Sequence, residues 1–350
     1  MDFDIVLPTL NREAALKLSV PLMLSQNRLP SRFVVVDASN NHNEVREIIE
    51  QLVNQMEIKV DLLVCHAKQP GTSRQRNIGL RHVQSPIVLF PDDDALWFPG
   101  VTESIMRIYE RDSDGSIGGV CATESLVPPP GIFAAKKPPY RMEFRDRLQL
   151  RVGRILDKFE NAFFPDPIYI EGYERYQNRQ IPDWLSDVGA VVSVFMSGFR
   201  MSFRSDLIRS FGFDENLGRF AIYEDRDASL GALTNYLIVR AEDANVFHYR
   251  SPEKRVSGVE WATMHILNRA YVVCKHSPPG STARHLLKKF SYYKLVRYLL
   301  QAQTRYGRQR VVGALRALSR VSELVDASPG ELVACYKRLR DECLSGFRTI

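Results

Sequence analysis

From Phe3 to Tyr109 the chain switches repeatedly between two hydrophobic periods, and that alternation admits few folds. Phe3-Asp4-Ile5-Val6-Leu7 is a short apolar run stopped by Pro8. Arg12 to Ser25 follows, with Leu16, Val20, Met23 and Leu24 near helical spacing. Phe33-Val34-Val35-Val36 is a second, β-branched run ending at Asp37, and Glu44 to Met56 carries Val45, Ile48, Ile49, Leu52 and Val53 on one helical stripe. The pattern repeats with a strand at Lys59–Cys65, a helix at Ser73–Val83, a strand at Ile87–Phe90 and a helix at Val101–Tyr109. Strands that are continuously apolar are buried on both faces, which predicts a parallel sheet covered by helices. Ligands of such sheets sit outside the carboxyl ends of the strands. Four polar clusters follow strands and should share one edge: Pro8 to Arg12, Asp37 to Asn40, Gly71 to Asn77, and Asp92-Asp93-Asp94.

The middle changes character. Val127 to Pro139 is Pro-rich and reads as a loop, Arg141 to Phe159 is charged with a helical pattern, and Phe163 to Trp184 is rich in Tyr, Pro and Asn. An insertion of this length is long for a passive connection. Core pattern resumes at Val188–Phe203, a helix is expected over Ile222–Leu233, and short strands over Tyr236–Arg240 and Asn245–Tyr249. From Val259 the chain reads as helical. The expected division is 1–121, 122–187, 188–280 and a basic helical tail at 281–350.

Charge divides along the same lines. The formal net charge of +6 hides a body of net −3 over residues 1–280 and a tail of net +9 over residues 281–350. Positive charge is not spread over the body, so whole-chain nucleic-acid binding is not expected. No apolar run reaches the roughly 18 residues that span a bilayer, and the opening MDFDIVLP does not read as a signal peptide. Five scattered cysteines without a CxxC suit free thiols in a reducing cytosol.

Several groups carry chemistry. The packed carboxylates Asp92-Asp93-Asp94 either bind a hard cation such as Mg²⁺ or Mn²⁺ or form a solvated turn; the apolar residues on both sides favour the cation. Asp37 either caps a turn or accepts a hydrogen bond from a nucleobase or ribose. Gly71 to Asn77 opens a helix whose N–H groups, with Arg74 and Arg76, could face a phosphate, or is simply a capped helix. Glu224 and Asp225 either complement a helix dipole or supply a general base. His248, between bulky residues, is either a core residue or a ligand.

Taken in order, Leu7-Pro8-Thr9-Leu10-Asn11-Arg12, Val35-Val36-Asp37, Gly71 through Gly79, Phe90-Pro91-Asp92-Asp93-Asp94, Gly198 through Arg204, Gly212 through Glu215 and Glu224-Asp225 resemble the family 2 glycosyltransferases. The resemblance covers roughly residues 3–275. It implies a GT-A-like α/β fold, with a mostly parallel sheet flanked by helices, and here a C-terminal helical extension. It also implies metal-dependent, inverting transfer from a nucleotide-sugar to a hydroxyl of a glycan or lipid-linked acceptor, as in cell-surface polysaccharide synthesis. Pro8, Thr9, Arg12, Asp37, Arg74, Arg76, Asp92 and Asp93 would bind the donor. Asp94, with Asp92 and His248, would hold Mn²⁺ or Mg²⁺. Asp225, beside Glu224, would be the base, and Gly198, Arg204 and Trp184 would line the sugar and acceptor side. Ala95 and the long 122–187 insertion depart from the family pattern and bear on the acceptor.

Two rivals differ in class. A sugar-phosphate nucleotidyltransferase should carry a Gly-rich phosphate loop after the first strand, where Pro8-Thr9-Leu10-Asn11 stands instead. A non-catalytic scaffold on the same fold should have lost part of the acidic set, which is complete here. The tail mixes aromatics and aliphatics with basic residues, as helices on anionic membranes do and as a packed helical cap also would. The expected partners are a nucleotide-sugar, a glycan or lipid-linked acceptor, a membrane surface and a second copy of the chain. The expected location is the cytoplasm, peripheral to the inner face of the membrane.

Overall fold

Strands β1 (Phe3–Thr9) and β4 (Ile87–Pro91) are buried at every residue, and β2 (Arg32–Asp37) at all but its first. The computed structural model describes residues 1–132, 163–218, 220–250 and 256–345. These form two compact units, one of residues 1–132 and 175–250, the other of residues 163–174 and 256–345. The expected helix at Arg141–Phe159 and most of the Pro-rich stretch lie outside the described residues.

In the first unit, α1 (Glu13–Leu24), α2 (His42–Gln55), β3 (Asp61–His66), α3 (Thr72–Leu80), β5 (Ala95–Trp97), α4 (Val101–Arg111) and β6 (Ile117–Ser125) follow in turn with the strands above. α5 (Pro167–Tyr176) belongs mostly to the second unit, and the first resumes with β7 (Ala190–Ser193), β8 (Arg200–Arg204), α6 (Ser205–Phe211), α7 (Glu224–Ala232) and β9 (Leu237–His248). The nine strands make one sheet in the order β3-β2-β1-β4-β8-β6-β9-β5, with β7 also on β9. Pairing is parallel from β3 through β4, as the continuous apolar runs predict. It is antiparallel where β8 enters between β4 and β6, so the sheet is mixed.

Alternate strand residues feed two cores. Ile5, Leu7, Phe33, Val35 and Leu89 face α1, α2 and α4, while Val6, Val34, Val36, Val88 and Phe90 face α3, α6 and α7. At about 25 cal/mol per Å², both faces of these strands contribute hydrophobic stabilisation, and the interiors of β2 and β4 are apolar throughout.

Two elements differ from the sequence reading. β6 has little signal because Gly118-Gly119 opens it. A Cβ at Gly118 would lie 2.6 Å from both Leu207 and Tyr236, so close packing excludes the β-branched residues that mark strands. The two short strands expected over 236–249 are a single strand, β9, whose register against β6 shifts between Cys121 and Thr123. The irregularity lets the exposed Glu242 and Asp243 sit inside a strand without breaking it.

In the second unit, α8 (Gly258–His276) is buried along most of its length and packs against α9 (Thr282–Leu299), α10 (Arg305–Leu318), α11 (Val321–Asp326) and α12 (Leu332–Leu344). Buried Arg284 donates to the carbonyls of Cys274 (2.6 Å) and Ser277 (2.9 Å), satisfying the C-terminal end of α8. No helix among the described residues is long and apolar enough to cross a membrane. All five cysteines are free.

Candidate active site

Strand direction decides which polar groups meet. Thr9, Asp37 and His66 end β1, β2 and β3 side by side. β8 runs antiparallel to β4 with Arg200 opposite Pro91, which delivers Gly198 and Phe199 to the edge where Asp92 begins. β9 runs parallel to β6, and hence to β4, and ends there at His248, opposite Ala95.

The three carboxylates of the triplet are treated differently. Asp93 is held inside the protein: Thr9 Oγ1 donates to its Oδ2 at 2.8 Å and Arg12 Nη1 to its Oδ1 at 3.0 Å. Ser19 Oγ fixes the backbone by donating to the Asp93 carbonyl at 2.6 Å. Arg12 Nη1 also reaches Asp94 Oδ2 at 3.0 Å. His248 Nε2 lies 3.3 Å from Asp94 Oδ1, and its ring stacks on Phe199 with centroids 4.4 Å apart. Burial works against protonating His248, but the hydrogen bond and charge of Asp94 outweigh it and raise its pKa. Asp92, Asp94 and His248 each offer one ligand atom, all within 4.8 Å of one another. Two carboxylates and an imidazole suit a divalent cation such as Mn²⁺ or Mg²⁺.

Burial pushes the Asp93 carboxyl up to about 7, against the opposing pull of Arg12. The native state therefore holds a proton that the unfolded chain releases near 3.8, and stability falls as pH rises from that value to about 7. Thermal melts of the metal-free protein should show a midpoint that drops across this window, and Asp93→Asn should flatten the slope. An unchanged slope in that variant would assign the proton elsewhere.

A second acidic pair faces the triplet. α7 begins at Glu224, after Ala221 (φ 40°) and Tyr223 (φ 78°) in the left-handed region, a costly conformation for residues with a side chain. Arg76 is fully buried and bridges the two groups: Nη1 donates to Glu224 Oε1 at 2.7 Å, and Nη2 to Asp92 Oδ1 at 2.8 Å and to the Gly198 carbonyl at 2.9 Å. The Gly198 N–H donates to Asp225 Oδ2 at 3.1 Å, and the Arg226 N–H to Asp225 Oδ1 at 2.8 Å. A Cβ at Gly198 would lie 3.0 Å from Glu224 Oε1 and 3.4 Å from Arg76 Nη2, so a side chain here would press on both groups. Burial and the neighbouring Asp225 charge raise the Glu224 pKa, with Arg76 opposing.

Residues 4–156 match the model of glycosyl transferase family 2. That segment of the chain, less than half of its length, is similar to the family 2 glycosyltransferases. The fold of the chain is GT-A-like. It is similar to the mannosyltransferase PcManGT from Pyrobaculum calidifontis in complex with GDP-Man and Mn²⁺, at 13% identity and TM-score 0.51 over 99% of this chain and 88% of that one. It is likewise similar to S. aureus TarS 1-349 in complex with UDP-GlcNAc, at 13% identity and TM-score 0.52 over 99% and 92%. A search of curated proteins found no match.

The other expected site residues are placed less uniformly. Pro8 pairs with Val36 inside the sheet. Asp37 is fully buried and accepts from the Ser39 N–H at 2.9 Å, with His42 Nδ1 at 2.8 Å; His42 in turn stacks on His66. Arg74 lies on the surface, paired with Glu215 at 3.1 Å and with Gln69. Arg204 is not brought to the cluster. It sits opposite Ile87 at the other end of β4, where it pairs with Asp112 at 2.7 Å. Trp184 lies in the 3-10 turn Asp183–Val188, against the core that includes α4. Arg76, expected to face a phosphate or the donor, is fully buried, with its guanidinium held by Glu224, Asp92 and the Gly198 carbonyl.

Gln75 escaped the sequence reading. Its Nε2 donates to the carbonyls of Thr9 (2.7 Å) and Val36 (2.8 Å), clamping the ends of β1 and β2. A single Gln in a helix gives no warning of this.

Replacing Arg76 with Met should destabilise the first unit by about 3–5 kcal/mol, because Glu224 and Asp92 would lose the cation between them. Chemical denaturation measures this, and a loss below about 1 kcal/mol would mean the bridge is dispensable.

Proposed function

We propose that this chain is a metal-dependent, inverting glycosyltransferase that moves a sugar from a nucleotide-sugar to a hydroxyl of a glycan or lipid-linked acceptor. The convergence of Asp92, Asp94 and His248 with Glu224 and Asp225 around one buried arginine carries this reading. Support comes also from the similar structures, whose ligands are GDP-Man with Mn²⁺ and UDP-GlcNAc.

Asp94, Asp92 and His248 would hold Mn²⁺ or Mg²⁺, which when bound supplies positive charge against the leaving diphosphate. Arg12 keeps Asp93 and Asp94 oriented, and Thr9 and Gln75 fix the strand ends next to them. Asp37, at the end of β2, faces the ribose or base. Asp225 accepts the proton of the acceptor hydroxyl as that oxygen attacks the anomeric carbon opposite the departing phosphate. Arg76 keeps Glu224, the neighbour of the base, and the metal-side Asp92 in one frame, and such fixed geometry supplies much of the rate.

A panel of nucleotide-sugars scored by release of nucleoside diphosphate tests the reading. At least one donor should yield diphosphate with Mn²⁺ or Mg²⁺, and chelation should abolish it. Release of pyrophosphate from a sugar phosphate and a nucleoside triphosphate would instead mark a nucleotidyltransferase.

A further inference from the structure

Among the described residues, one face of the helical unit is exposed. On α9, His285, Lys288, Lys289, Tyr292, Val296, Leu299 and the adjoining Leu300 follow at spacings of three and four and fall on one side of the helix. Tyr292 is 60% exposed, Val296 52%, Leu299 52% and Leu300 63%. The opposite side, with Ala283, Leu287, Phe290, Ser291 and Tyr298, is buried. The exposed side is thus basic at its start and apolar at its end. α10 repeats the mixture, with exposed Arg305, Arg308, Val312 and Leu315. Exposed apolar side chains in a row need an explanation that singly scattered ones do not.

Charge selects the occupant. Residues 281–320 contain ten Lys and Arg and no Asp or Glu. A second copy docking through this face would bring like charge against like charge. We propose that the α9 face, extended by basic α10, seats the chain on an anionic lipid surface. Tyr292, Val296, Leu299 and Leu300 enter the headgroup boundary, and Lys288, Lys289 and Arg305 contact lipid phosphates. Apolar burial and attraction to anionic headgroups add in this mode, and the attraction fades with salt. The proposal does not rest on the catalytic reading.

Flotation of the full-length chain with phosphatidylcholine vesicles, with and without about 30% phosphatidylglycerol, tests it. The chain should float with the anionic vesicles, at least tenfold less with neutral ones, and progressively less as salt rises. Val296→Asp combined with Leu300→Asp should reduce binding at least tenfold; both positions are exposed, so the thermal midpoint should stay within a few degrees. Lys288→Glu with Lys289→Glu should weaken binding and flatten its salt dependence. Two results would overturn the proposal. One is failure of the wild-type chain to float with anionic vesicles. The other is equal flotation of wild type and the Val296/Leu300 variant. A soluble oligomer that this variant dissociates, without vesicle binding, would give the face to a second copy instead.

Discussion

Asp225→Asn should lower the transfer rate by about 10²–10⁴-fold while leaving donor affinity within a few-fold of wild type. A general base contributes that much by taking a proton in the transition state, and it does little for a donor bound across the site. The isosteric amide keeps one acceptor oxygen for the two N–H groups, of Gly198 and Arg226, that hold Asp225 in place, so retained donor affinity is what assigns the loss to the proton transfer and not to a displaced loop. Parallel measurement of turnover and of nucleoside diphosphate affinity separates the two. Near-full turnover would remove Asp225 from the base role and turn attention to Glu224, whose carboxyl is engaged by Arg76.

Asp94→Ala should abolish metal-dependent turnover, with the rate at saturating Mn²⁺ no higher than in chelator. Asp94 is nearly fully buried and is the member of the cluster that meets both His248 and Arg12. Removing it leaves Asp92 and His248 as a pair, too few ligands for a divalent ion that must also engage a diphosphate. Ala should also release Arg12 from one of its two carboxylates without disturbing its contact to Asp93. Retained metal-stimulated activity would show that the cation binds elsewhere.

The sequence made the parallel half of the sheet plain because its strands are buried on both faces and their residues say so. The acidic triplet was visible because three consecutive carboxylates directly follow an apolar strand. The second half was harder to read. Antiparallel entry of β8 reverses which end of a motif reaches the site, so Gly198 arrives and Arg204, on the same short strand, is carried to the far end. His248 stood out as a residue type, but only the sheet order, which puts β9 and β4 in the same direction, brings it to Asp94. Arg76 shows the sharper limit. A guanidinium at a helix start looks like a phosphate ligand from composition, and only tertiary packing reveals that it is buried under two carboxylates and a glycine carbonyl. Asp92, Asp93 and Asp94 are likewise indistinguishable in the chain, and they separate once Thr9 and Arg12 claim Asp93.

The most direct test is the thermal midpoint of the wild-type chain with UDP or GDP, each with and without Mn²⁺. A ligand at a hundredfold its dissociation constant stabilises a fold by about 2.7 kcal/mol. One of the nucleotides should raise the midpoint by several degrees with Mn²⁺ and by much less without it, and Asp94→Ala should abolish the metal-dependent part. No shift with either nucleotide, or an equal shift with and without Mn²⁺, would contradict a metal–diphosphate site at Asp92, Asp94 and His248.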